Sequence, residues 1–161
     1  MSTIVAVCKQ GRTAVAWDSL STVGGTRFPN ASPRPKVRRV GSNLIGVAGF
    51  AVYYNILEEY SEKDQVPDLV DEKTVFRFFV QFWRDLRERF HLVSDQCDAE
   101  NPSPFADLDS EFLVVNRSGI YRIKEILSVS KFPQFCAIGS GSPHAEGAIS
   151  ALYPTELSAL D

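Results

Sequence analysis

Ile4, Val5, Ala6 and Val7 follow one another in the opening stretch MSTIVAV, which predicts a buried strand that starts almost at the N-terminus. Gln10-Gly11 predicts a tight turn, and RTAVAWD, Arg12 to Asp18, returns as the second strand of a hairpin. A stretch rich in Gly, Asn and Pro runs from Gly24 to Pro35. Beyond it KVRRV and NLIGVAG read as two further strands joined by a turn at Gly41-Ser42. Strands in such succession predict a single sheet.

The apolar spacing then changes. Val52, Tyr53, Ile56, Leu57 and Tyr60 fall on one helical face, and a stronger stripe follows at Val75, Phe78, Phe79, Phe82, Leu86 and Phe90. Residues 92–110 read as an acidic, Pro-containing loop. EFLVVN, RSG and IYRIKEIL then predict a further hairpin, and FCAIGSGSPHAEGAISALY a short strand, a Gly/Ser turn and a helix. Pro143 suits the first turn of that helix, with Ser142 as its cap. Strands, two helices, strands and a helix fit an α+β fold: two packed sheets with helices outside, a four-layer α-β-β-α sandwich. No repeat or linker divides the chain, so 1–161 is expected to form a single domain.

Composition narrows the functional classes. Apolar residues make up 44% and charged residues 23% of the 161, as in an ordinary globular protein. A net charge of -3 and a pI of about 5.4 supply no field that draws the molecule onto nucleic acid or an anionic membrane. No apolar run approaches the roughly 20 residues of a membrane helix, and the first residues lack the pattern of a signal peptide. Cys8, Cys97 and Cys136 are odd in number and widely spaced, which argues against a disulfide framework or a zinc site and for a reducing cytoplasm.

Several motifs lose on inspection. GSGSPH sits where a phosphate loop belongs, but His144 stands where a dinucleotide fingerprint needs its third Gly, and no Gly-Lys-Ser/Thr follows. The acidic residues Asp95, Asp98, Glu100, Asp107, Asp109 and Glu111 do not form a calcium loop. His91 and His144 lack metal-ligand spacing and are expected to be structural or solvent-facing. In RPKVRR, strand alternation separates Lys36 and Arg38 from Arg39, so no basic stripe forms.

The N-terminus offers more. Removal of Met1 leaves Ser2 with a hydroxyl and a free α-amine, whose ordinary pKa of about 7.7 to 8 lets it act as a base near neutrality. Nucleophile and base then share one residue. Asp18 closes the hairpin opposite the start of the first strand. Lys36 brings a cation that would favour the deprotonated nucleophile and the neutral amine. Gly49, in VAGF, permits close backbone approach and an oxyanion-binding N–H.

These segments resemble the proteasome β-subunit family of N-terminal nucleophile (Ntn) hydrolases, in its HslV-like branch. STIVAV, AVAWDS, KVRRVGSNLIGVAG and CAIGSGSPHAEGAISALY follow the family's order across nearly the whole chain, and TELSALD resembles the segment after that helix. The variant first loop, the long middle insertion and GSGSPHA resemble bacterial proteasome homologues of Betaproteobacteria.

The resemblance implies a self-compartmentalising peptidase in stacked hexameric or heptameric homomeric rings. It implies unfolded peptide or protein substrates, an ATP-dependent unfoldase as partner, and no cofactor. Ser2 aligns with the N-terminal nucleophile, Asp18 and Lys36 with the family's Asp and Lys, and Gly49 with the oxyanion Gly. Ser140 aligns with the Ser that contacts the terminal amine. Thr3 is the rival nucleophile, but the interval from Ser2 to Asp18 is the one the family keeps, and starting at Thr3 would turn the side chain to the other face.

Two departures carry expectations. Ser2 lacks the methyl that restricts χ1 in Thr, which predicts slower turnover. The chain also stops at Asp161, where the family continues through a helix and strands that complete one sheet. That implies a truncated chain or an incomplete sheet whose edge a neighbouring subunit covers. The rival readings are a ring-forming scaffold without turnover and an Ntn amidohydrolase acting on small amides.

Overall fold

The computed structural model describes residues 2–20, 22–23, 26–27, 35–62, 66–92 and 108–161. The N-terminal hairpin is β1 (Ile4–Lys9) and β2 (Arg12–Trp17), joined where Gln10 and Gly11 both take positive φ, +52° and +73°. That pair of angles matches the right-handed twist of the strands on either side. β3 (Thr22–Val23) and β4 (Thr26–Arg27) are short paired segments. β5 (Val37–Val40), β6 (Asn43–Ala48), β7 (Glu111–Asn116), β8 (Gly119–Ile123) and β9 (Val129–Phe132) form a five-stranded antiparallel sheet in that order. β10 (Phe135–Ile138) lies beside β1, so the other main sheet runs β10-β1-β2.

Among the described residues three helices flank the sheets: α1 (Val52–Ser61), α2 (Glu72–Glu88) and α3 (Ser142–Leu152). α3 packs on β10 and β1, while α1 and α2 lie against the five-stranded sheet through β5, β6 and β9. The α-β-β-α layering is thus present. β7 shows why: Phe112 and Val114 join the core under α1 and α2, and Leu113 and Val115 join the core between the sheets. A strand buried on both faces reads as the continuous apolar run FLVV. In the helix-side core Phe112 packs edge-on against Phe79 at 5.0 Å and Tyr53 at 5.2 Å. Between the sheets Gly46 is bare because its neighbours need the room; a Cβ there would stand 3.1 Å from Ile4 and 3.3 Å from Val37.

Four expectations are corrected. The first strands do not share one sheet, because β1 and β2 pair with β10 while β5 and β6 pair with β7. β1 is buried on one face only: Ile4 and Ala6 are enclosed, and Val5 and Val7 are partly exposed. Ser142 is the first residue of α3 rather than its cap; Gly141 holds that position with no side-chain capping bond. Val52 is exposed, and Tyr54 takes its place on the buried face of α1. β9 was not anticipated. Asp95, Cys97, Asp98, Glu100 and Asp107, and most of Gly24–Pro35, lie outside the described residues.

Candidate active site

Ser2 sits just ahead of β1, and the register Ile4 to Trp17 brings Asp18 back beside it. The Asp18 N–H donates to the Thr3 carbonyl at 3.1 Å, and the Thr3 N–H donates to Asp18 Oδ2 at 2.5 Å. From the neighbouring sheet, Lys36 donates through Nζ to Asp18 Oδ1 at 2.8 Å and to Ser2 Oγ at 3.1 Å. Lys36 is only 3% exposed, and an ammonium that deep in a protein needs such partners. Burial alone would raise the Asp18 pKa. Hydrogen bonds from Lys36, Thr3 N–H and Leu20 N–H, with the Lys36 charge, outweigh it and hold the carboxyl below its usual value of 3.8.

The other side of Ser2 is held by the turn between β10 and α3. Ser2 N–H donates to Ser140 Oγ at 3.3 Å, and Gly141 N–H donates to the Ser2 carbonyl at 3.2 Å. Gly139 has φ +87°, and a Cβ there would fall 2.3 Å from the Ser2 carbonyl oxygen. GSG is therefore shaped to receive the N-terminal strand, not a phosphate. The Thr3 hydroxyl lies against Gly141, where a Cβ would come within 2.0 Å of it. The hydroxyl at the Lys36 ammonium is that of Ser2.

Gly49 follows β6 directly with φ +155°, and a Cβ there would meet Ser110 Oγ at 1.9 Å. It lines a cleft of about 330 Å³ with Ser2, Ser110, Glu111, Gly139 and Ser140. Ser2, Asp18, Lys36, Gly49 and Ser140 are thus brought together from five separate segments. His91 and His144 are exposed. Among the described residues no group of His, Cys, Asp and Glu is arranged to hold a metal. Cys8 and Cys136 are free thiols, and burial pushes the Cys136 thiol up to about 12.

Sequence reasoning missed three neighbours. Tyr54 donates to the Val47 carbonyl at 3.3 Å and faces the Ser2 side chain; burial raises its phenol pKa, the contact with Ser2 counters that, and the Asp18 charge adds to it. Ser110 and Glu111 stand at the start of β7. The helical spacing of α1 and the continuous apolar run of β7 mark the two elements, but nothing in them says which residues lie near residue 2.

No family model matches the sequence, and no curated protein matches it. Solved structures do. Thiobacillus denitrificans BPH, a bacterial proteasome homologue, in complex with epoxomicin superposes with a TM-score of 0.85 and is 29% identical, over 98% of this chain and 82% of that one. A second structure of BPH from the same organism gives 0.81 at 29% identity, over 96% and 80%. Eukaryotic HslV from Trypanosoma brucei gives 0.64 at 20%, over 98% and 83%, which bears on the fold alone. Segment order and two-sheet layering agree with these likenesses: the chain has the α+β fold of the proteasome-like structures and is similar over nearly its whole length to BPH.

Proposed function

We propose that the chain is a peptidase whose nucleophile is Ser2, exposed by removal of Met1. The observation that carries this reading is the Lys36 ammonium 3.1 Å from Ser2 Oγ, with Ser140 at the nitrogen of the same residue. In the first step Ser2 Oγ attacks a peptide carbonyl and its proton passes to the Ser2 α-amine. The oxyanion is met by the Gly49 N–H. As the intermediate collapses, the C–N bond breaks and the leaving amine takes the proton from the α-ammonium. Water then attacks the acyl-ester, giving a proton to the α-amine, and collapse returns that proton to Ser2 Oγ. Lys36 keeps a positive charge beside the oxygen throughout, and Asp18 holds Lys36 in place. No step calls for a cofactor.

The BPH structure with epoxomicin supports a peptidase over a small-amide hydrolase. The proposal includes homomeric stacked rings in the cytoplasm, with Ser2 facing an inner chamber, unfolded polypeptide as substrate, and an ATP-dependent unfoldase as supplier. Among the described residues no helix is long and apolar enough to cross a membrane.

Intact-mass and N-terminal peptide mass spectrometry after treatment with a peptide epoxyketone tests the nucleophile, because that reagent bonds to both a hydroxyl and a free α-amine. The expected result is one adduct on Ser2, lost in Ser2→Ala. Retained Met1, or no adduct on an assembled ring, would overturn the peptidase reading in favour of the non-catalytic scaffold.

A further inference from the structure

Two consecutive residues at the start of β7 touch both halves of the site. Ser110 is 2% exposed, and its Oγ accepts the Phe50 N–H at 3.1 Å. The same oxygen lies where a side chain at Gly49 would have to go. Ser110 therefore fixes the peptide plane immediately after the Gly49 N–H. Glu111 reaches the opposite way, as alternation along an extended chain requires. Its Oε2 accepts the Gly139 N–H at 3.2 Å, in the turn that supplies Ser140 to the Ser2 nitrogen and Gly141 to the Ser2 carbonyl.

The Glu111 carboxylate is itself held. Arg122 donates to Oε1 through Nε at 3.1 Å and also through Nη2, which leaves Oε2 for Gly139. Leu113 stands opposite Arg122 in the β7–β8 ladder, so Glu111 and Arg122 are diagonal neighbours on one face. The segment before them is anchored too. Tyr53 Oη donates to the Leu108 carbonyl at 2.6 Å, and Leu108 N–H donates to the Glu125 carbonyl at 2.8 Å.

We propose that Ser110 and Glu111 form a brace, Ser110 positioning the oxyanion-side peptide at Gly49 and Glu111 positioning the amine-side turn at residues 139–141. Both are positioning residues, and their catalytic consequence rests on the peptidase reading above. Loss of an ion pair that served only stability would lower melting temperature and leave a folded molecule's chemistry untouched. A brace instead separates the two halves of the reaction.

The test uses the full chain and the variants Ser110→Ala and Glu111→Ala, with Glu111→Gln as the conservative form that keeps an oxygen acceptor for Gly139. In Ser110→Ala, affinity for a peptide aldehyde, whose hemiacetal needs Ser2 Oγ and the oxyanion amide, is expected to fall by roughly tenfold or more. In Glu111→Ala the rate of epoxyketone adduct formation, which needs the amine, is expected to fall by about tenfold or more, with aldehyde affinity changed less. Glu111→Gln recovers part of that rate. KM for a peptide substrate stays within about twofold in each while kcat falls, because the reacting groups and not the substrate contacts have moved.

A readout independent of turnover is hydrogen exchange at the Gly141 amide, which Glu111 does not touch. Exchange about tenfold faster in Glu111→Ala, with core amides of β7 unchanged, supports the brace. Unchanged Gly141 exchange and equal losses with both probes in both variants overturn it. Should the wild-type chain take no adduct at all, the peptidase reading fails, and exchange at Gly141 still decides for or against the brace.

Discussion

Asp18 makes the site sensitive to acid in a defined direction. Its carboxyl titrates below the ordinary 3.8 because Lys36 and two backbone amides bind the charged form more strongly than burial opposes it. A depressed folded-state pKa contributes stability that is fully present above the unfolded value and is lost as pH falls through the folded one. Chemical denaturation followed from neutral pH to below pH 3.8 is therefore expected to show wild type ahead of Asp18→Asn above that value. The gap should narrow as the solution becomes more acidic. A gap that widened on acidification would mean that Asp18 is not held in its charged form by Lys36. Ser2, Asp18 and Lys36 were all legible in the sequence because each carries a charge, or a nucleophile with a base, at a strand end. Ser110 and Glu111 were not, since a Ser-Glu pair before an apolar strand has no signature of its own. Tyr54 falls outside the apolar face that the spacing predicts for α1, so nothing in the sequence pointed to it.

Among the elements, α2 shows how much local chemistry the sequence carries. Asp71 accepts the Thr74 N–H at 2.7 Å and the Thr74 hydroxyl accepts the Asp71 N–H at 3.1 Å, a reciprocal cap that satisfies two helix-end donors. Asp71→Ala is expected to lower stability, because the Thr74 N–H at the start of the helix loses its side-chain acceptor. A urea midpoint shift with unchanged slope checks this, and epoxyketone labelling of the folded protein should stay as in wild type, since α2 lies on the far side of the five-stranded sheet from Ser2. The apolar stripe of α2 was likewise plain, because a spacing of three and four suits only one period. Strand partners were not. Succession along the chain says that β1, β2, β5 and β6 are strands, but β10, from the far end of the sequence, is what separates the first two into a sheet of their own. Pairing over so long a separation is set by tertiary packing and by no local signal.

At the scale of the whole molecule, two cores divide the labour. The aromatic core under α1 and α2 holds Phe79, Phe82 and Phe112, while the smaller core between the sheets holds Ile4, Val37 and Leu113 beneath the site. Phe79 is fully buried, so Phe79→Ala is expected to cost about 3–5 kcal/mol. Calorimetry should show the loss as a lower melting temperature, while the fraction that remains folded takes the epoxyketone adduct at the wild-type rate. A fall in that rate at temperatures well below the transition would show that the two cores are coupled.

The bare Cα of Gly46 makes the inter-sheet core more than filling. Ile4 stands two residues after Ser2 and Val37 one residue after Lys36, and both lean on that same small seat. A side chain at residue 46 would have to push both away, and with them the segments that carry Ser2 and Lys36. A methyl group at residue 46 is therefore expected to disturb the 3.1 Å spacing between Lys36 and Ser2.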